Sequence, residues 1–210
     1  MITLYYCPPG CSLASHIAFE ESGLSYTPQL VNVYEPKERA LLVALNPKGT
    51  VPTLVVDGEV VTENIAIMNY IASAAPEANL VPGGLVQRAQ CLSLLGWYAS
   101  SVHIAFRQSF RAERFSADAA AHESIKKYGR EAFWGALQTM DARLAHQPYM
   151  MGGQFSIADT YVLVFYNWAM IGEYEVGSLR HLTDCKDRLL LRPAVRRVVE
   201  REGLPLLKAA

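Results

Sequence analysis

The chain opens on Ile2–Tyr6 (ITLYY), a short run of apolar, β-favouring side chains that Pro8-Pro9-Gly10 closes. From Ser12 the period lengthens. Leu13 and Ile17, with the small Ala14 and Ala18, recur at helical spacing, and Gly23 supplies a C-cap. A second strand is expected over about 27–33. The stretch NPKGTVPTLVVDGEVVTENIAIMNYI then gives a strand, an Asp57-Gly58 turn, another strand and a helix. Asp-Gly between β-branched runs is a strong two-residue hairpin signal, because both central residues must adopt positive φ. The order to this point is β-α-β followed by β-β-α.

Around SAAPEANLVPGG the pattern breaks into small residues, proline and glycine, as a linker does. Beyond Leu85 strand periodicity is absent, and helices are expected over about 86–115, 117–146, 156–172 and 193–202. Ser156-Ile157-Ala158-Asp159 has the form of a capping box, and Pro193 falls where a first helical turn tolerates proline. The reading is therefore an α/β unit over 1–78, a linker over 79–86 and an all-helical unit over 87–210. Internal repeats and low-complexity segments are absent.

Composition narrows the class. At 210 residues and 51% hydrophobic side chains the chain can bury a substantial core. A net charge of -1 gives no electrostatic footprint for nucleic acid or an anionic membrane. Arg192, Arg196, Arg197 and Arg201 read as the solvated face of a last helix. The N-terminal residues lack the basic and apolar regions of a signal peptide, and the apolar run IADTYVLVFYNWAMIG, carrying Asp159 and Asn167, reads as a buried helix rather than a span. Four cysteines are few for a disulfide scaffold, so free thiols in a cytoplasmic protein are expected.

The candidate chemistry starts at those cysteines. Cys7 and Cys11 flank the Pro-Pro-Gly corner. A zinc site needs a second pair of ligands, which is not found, and a C-x-x-C redox motif needs two intervening residues where this chain has three. A Cys7–Cys11 disulfide stays geometrically open without support from the motif. Cys11 falls where the first helix begins, a position whose unpaired amides lower a thiol's pKa below about 8.5. Position alone leaves a working thiol and a structural cysteine equally open. Further on, the residue before Pro52 is held extended, and a cis Val51-Pro52 bond would turn the Val51 amide and carbonyl outward to pair with a peptide. Glu63-Asn64 opens a helix whose amides suit a carboxylate, with the Glu63 side chain suited to an ammonium; plain capping by Thr62 or Asn64 is the alternative. Together these points suggest a peptide-like ligand with an α-amino-acid end that finishes at a cysteine.

At these residues the chain resembles the cytosolic glutathione transferases, and within them the bacterial, cysteine-containing beta class. The resemblance rests on YYCPPGCSLASHIAF, NPKGTVPTLVVDGEVVTENIAIMNYI, GGQFSIADTYV and LLLRPAVRRVV, and spans essentially the whole length. It implies a thioredoxin-like α/β N-terminal domain, an all-α C-terminal domain, a homodimer, and a cleft that takes glutathione as cosubstrate without a metal. Carried over, Cys11 faces the glutathione sulfur, Val51 before cis-Pro52 pairs with the cysteinyl backbone, and Glu63 with Asn64 holds the γ-glutamyl group. The family more often has Glu-Ser there. His103 matches a histidine projected toward glutathione. The lysine that commonly follows is Ile104 in this chain, and Arg107, one turn on, is the candidate replacement.

Ser12 and Tyr6 are candidate donors to the thiol, with Tyr6 preferred over Tyr5 because alternate strand residues face opposite ways. Each has a plainer reading: Ser12 as a helix-start residue and His103 as a core histidine. His16 is given no catalytic role, and Asp159 is read as a structural cap. Trp97, Tyr98, Phe106, Phe110 and Trp168 line a cosubstrate pocket or belong to the core. The implied activity is transfer of the glutathione thiol to a small, apolar or aromatic electrophile. The alternatives are a thiol-disulfide oxidoreductase or reductive dehalogenase using Cys11 covalently, and a non-catalytic scaffold. Neither nucleic acid nor a membrane is expected as a partner.

Overall fold

A computed structural model describes residues 1–207. Its first part is a four-stranded sheet in the order β2-β1-β3-β4, made by β1 (Ile2–Tyr6), β2 (Thr27–Leu30), β3 (Thr53–Val56) and β4 (Glu59–Thr62). β1 runs parallel to β2, with Thr3 opposite Thr27, and antiparallel to β3, with Leu4 opposite Leu54. The β3–β4 hairpin turns on Asp57 and Gly58, both at positive φ (50° and 93°), as Asp-Gly foretold. Helix α1 (Ser12–Ser22) ends on Gly23 at φ 72°, and α3 (Asn64–Ala74) packs beside it.

Helix α2 (Pro36–Leu45), between β2 and β3, escapes the periodicity reading. Only Leu42 of it is buried and Leu41 is 74% exposed, so it carries no apolar stripe to recognise. β2 is correspondingly shorter than expected, because Asn32 turns the chain: its amide donates to Glu38 and its side chain accepts from the Tyr34 amide.

The second part is helical: α4 (Leu85–Trp97), α5 (His103–Phe110), α6 (His122–Leu144), α7 (Ile157–Ile171), α8 (Arg180–Leu190) and α9 (Pro193–Arg201). The first long helix expected is α4 and α5 joined by one π-helical turn, Tyr98–Val102. Helix α8 also escapes the periodicity reading, because most of its positions are polar, yet Leu182, Cys185 and Leu189 make one buried stripe. Helix α7 is buried on all sides from Ile157 to Ala169 and packs on α1, so the centre of the helical unit supports the start of the sheet unit. Asp159 caps α7 and accepts hydrogen bonds from the Ser156 amide (2.8 Å), the Ser156 hydroxyl (2.9 Å) and the Met150 amide (2.6 Å). Among the described residues, no helix is long and apolar enough to cross a membrane.

Candidate active site

The corner between β1 and α1 is tightly built. The Gly10 amide donates to the Cys7 carbonyl at 2.7 Å, and a Cβ on Gly10 would lie 2.6 Å from that same oxygen, so only glycine fits. The Ser12 hydroxyl accepts from the Cys7 amide at 3.1 Å and reaches the Cys7 carbonyl at 3.5 Å. Ser12 is wholly buried, and this corrects its expected role as a thiol donor: its hydroxyl is engaged in holding the corner. From the helical unit, the Trp168 indole donates to the Pro9 carbonyl at 2.7 Å. Cys7 is buried, and burial raises its pKa.

Cys11 is the N-cap of α1, half-buried, and its thiol points at the Val51 carbonyl across 3.8 Å. All four cysteines are free. The expected thiolate is not what this environment favours. Burial pushes the Cys11 pKa up to about 12, its own amide and the Arg107 guanidinium pull down against it, and the Glu63 carboxylate adds to the rise. Loss of water outweighs the field of the helix start, so Cys11 is a neutral S–H donor at neutral pH.

Val51 belongs to a loop organised by Asn46, which is 1% exposed. The Asn46 carboxamide donates to the Thr50 carbonyl (3.0 Å) and Thr53 hydroxyl (2.9 Å) and accepts from the Lys48 amide (3.1 Å). The Val51–Pro52 bond is cis, as the family resemblance implied, and the Val51 amide has no acceptor among the described residues. One free donor and one carbonyl therefore lie beside Cys11, the pairing groups of a strand edge.

Glu63 precedes α3 with φ 71°, a backbone conformation that side-chain-bearing residues rarely adopt, and its exposed carboxylate pairs with the Lys48 ammonium at 2.6 Å. The amides of Asn64, Ile65 and Ala66 at the start of α3 have no acceptor among the described residues. The Asn64 side chain does not reach outward. Its nitrogen donates to the Cys11 carbonyl at 2.7 Å and its oxygen accepts from the Ser15 hydroxyl, so the carboxamide ties α3 to α1. Of Asn64, only the backbone amide is left to meet a ligand.

From the helical unit, His103 follows directly on the π-helical turn, its ring edge-on to Trp168 at 4.8 Å. Burial, helped by the nearby Arg107 charge, lowers its pKa to about 4, so the imidazole is neutral at physiological pH. Arg107 sits close enough to perturb both Cys11 and His103, and among the described residues its guanidinium makes neither an ion pair nor a side-chain hydrogen bond. Phe106 stacks on Trp168 at 4.4 Å and touches Phe110, which is partly exposed. Tyr98 is wholly buried and belongs to the core, as does Trp168, while Trp97 is half-buried against it.

Tyr6 lies apart from this constellation, which corrects its expected role. It is 6% exposed, packs on His16 with the two rings tilted and their centroids 4.5 Å apart, and has its pKa raised by burial and by Glu202. His16 in turn pairs with Glu202 at 2.7 Å, joining α1 to the end of α9. Sequence reasoning missed Lys48 and Asn46. The turn-forming Asn-Pro-Lys-Gly was visible, but nothing local to it signals that the lysine reaches Glu63 fifteen positions later.

Residues 9–74 match the family described as Glutathione S-transferase, N-terminal domain, and residues 86–201 match Glutathione S-transferase, C-terminal domain. Glutathione S-transferase GstA of Escherichia coli O157:H7 is 33% identical over 207 residues, covering 96% of this chain and 98% of that protein. A glutathione transferase homologue from Sulfitobacter, solved with bound glutathione, superposes with a TM-score of 0.87 at 30% identity, covering 97% of this chain and 99% of the other. The beta class glutathione S-transferase of Sphingomonas chungbukensis superposes with a TM-score of 0.85 at 31% identity over 96% of this chain and 99% of the other.

Proposed function

We infer the chemistry of this chain from the family to which it belongs: it is a glutathione S-transferase of the bacterial, beta-like kind, a transferase that uses glutathione. The assignment of roles to residues is our proposal. The γ-glutamyl end docks at the start of α3, where Glu63 faces the ammonium and the free amides of Asn64 and Ile65 face the carboxylate. The cysteinyl backbone pairs with the amide and carbonyl of Val51, positioned by cis-Pro52. Arg107 receives the glycyl carboxylate as the cation missing after His103.

The observation that carries the mechanism is the setting of the Cys11 thiol, half-buried at the start of α1 and aimed at the Val51 carbonyl across 3.8 Å, where burial raises its pKa. A thiol held at about 12 is ionised at neutral pH in only roughly one molecule in a hundred thousand, which makes it a poor attacking thiolate for disulfide exchange. It is well suited to donate its S–H to a neighbouring sulfur. We therefore place the nucleophile on glutathione. Its thiolate is held by the Cys11 S–H and by the positive end of α1, and it attacks the electrophile while the leaving group departs with the displaced electron pair. Neutral His103 adds a hydrogen bond rather than a charge.

Phe106 and Phe110, whose rings lie 4.7 Å apart with Phe110 exposed, are the side chains we assign to contact with a small apolar or aromatic electrophile. Detoxification, a homodimeric state and a cytoplasmic location fit this reading and are part of the proposal. The test is Cys11→Ala assayed with glutathione and an activated chloroarene. Loss of about tenfold or less in kcat supports glutathione as the nucleophile, and abolished turnover with intact glutathione binding would support the covalent alternative.

A further inference from the structure

The γ-glutamyl end of glutathione is a zwitterion, and Glu63 answers only its positive half. The side chain at position 64 cannot answer the other, because both ends of the Asn64 carboxamide are engaged with Cys11 and Ser15. Beside Glu63 stands a cation. Lys48 Nζ lies 2.6 Å from Glu63 Oε1 and 3.5 Å from Thr62 Oγ1, at the entrance to α3. The backbone beneath it is anchored: the Lys48 amide donates to buried Asn46, and Gly49, at φ 58°, closes the same turn onto the Asn46 carbonyl. That turn is continuous with Val51, so one loop presents both the strand-pairing groups and the ammonium.

We propose that Lys48 binds the α-carboxylate of the γ-glutamyl group, acting with Glu63 as a charge pair that reads an α-amino-acid zwitterion. The inference rests on the placement of glutathione given above. In the free chain the two side chains neutralise each other. On binding, the ligand's ammonium joins Glu63 and its carboxylate joins Lys48 and the α3 amides, so no charge is left unanswered. The whole ligand then meets its complement: one anion for its ammonium, and Lys48 and Arg107 for its two carboxylates.

The experiment is calorimetric titration of glutathione, and of the decarboxylated analogue γ-aminobutyryl-cysteinyl-glycine, into the full chain and its Lys48→Met, Lys48→Arg and Glu63→Gln variants. Both side chains are more than half exposed, so the variants fold. Lys48→Met is expected to raise the Kd for glutathione about fivefold and leave that for the analogue unchanged, with Lys48→Arg restoring most of the loss. Equal changes for both peptides, or tighter glutathione binding through release of Glu63, would overturn the proposal. Glu63→Gln separates the two levels. If it weakens both peptides while Lys48→Met discriminates neither, only the role of Lys48 fails; if it weakens neither, the docking of the γ-glutamyl end fails with it.

Discussion

Asp159→Ala is expected to lower stability severely while leaving the activity of each folded molecule near normal. Three donors converge on this carboxylate, from the Met150 amide and the Ser156 amide and hydroxyl, and both residues are buried. Leaving a buried donor unpaired costs about 1–3 kcal/mol. The losses are not additive, and the wild type already bears the cost of burying a charge, so a net loss of about 4 kcal/mol is expected. For a chain of this size that is a fall in Tm of about 10 °C.

The pH dependence has a definite sign. Burial raises the Asp159 pKa from 3.8 to about 6, against its hydrogen bonds and the Arg192 charge. A pKa raised on folding gives a contribution that is full below the unfolded value and lost as pH rises through the folded one. The gap between wild type and variant therefore widens by about 2 kcal/mol from pH 7 to pH 4, other groups cancelling in the difference. Urea melts of both proteins across that range measure it. A loss under 1 kcal/mol, a gap that narrows on acidification, or a well-folded variant without activity would refute the reasoning.

Two further outcomes follow from the helical side of the site. Arg107→Met should raise the KM for glutathione about tenfold, by loss of a charge-assisted hydrogen bond, and leave that for γ-glutamylcysteine amide nearly unchanged; equal effects on both would remove Arg107 from the glycyl end. His103, lowered to about 4 by burial and Arg107, should contribute no inflection to the rate between pH 5 and 8. Its depressed pKa makes its stability contribution full above the free histidine value of about 6.5, lost as pH falls through 4. An inflection near pH 6.5 that disappears in His103→Gln would contradict this.

The sheet, its Asp-Gly hairpin and the α7 cap were legible because each depends on neighbours in sequence: β-branched alternation, turn chemistry, and a hydroxyl three positions before a carboxylate. The start of α3 was legible for the same reason, whereas cis-Pro52 came from the family resemblance, its neighbours permitting a cis bond without requiring one. What escaped depends on solvent and on distance along the chain. Helix α2 escaped because a helix that buries only Leu42 has no stripe to read. The Cys11 thiolate was overestimated because sequence shows the helix start and not the loss of water around the sulfur. Ser12, Asn64 and Tyr6 were each of suitable chemistry, but their atoms are engaged by Cys7, by Ser15 with the Cys11 carbonyl, and by packing on His16.

The most direct test of the central claim is the thiolate ultraviolet absorbance of bound glutathione, followed from pH 5 to 9 in the wild type and in Cys11→Ala. Cys11 is absent from the variant and burial raises the pKa of Cys7, Cys91 and Cys185, so a titrating signal that appears only when glutathione is bound belongs to glutathione. The account predicts saturable binding with a bound thiol that ionises below the free-thiol value of about 8.5, and predicts that this persists in the variant with its pKa raised by less than about one unit. A bound thiol that ionises no more readily than free glutathione, or a thiolate signal that vanishes with Cys11, would contradict it.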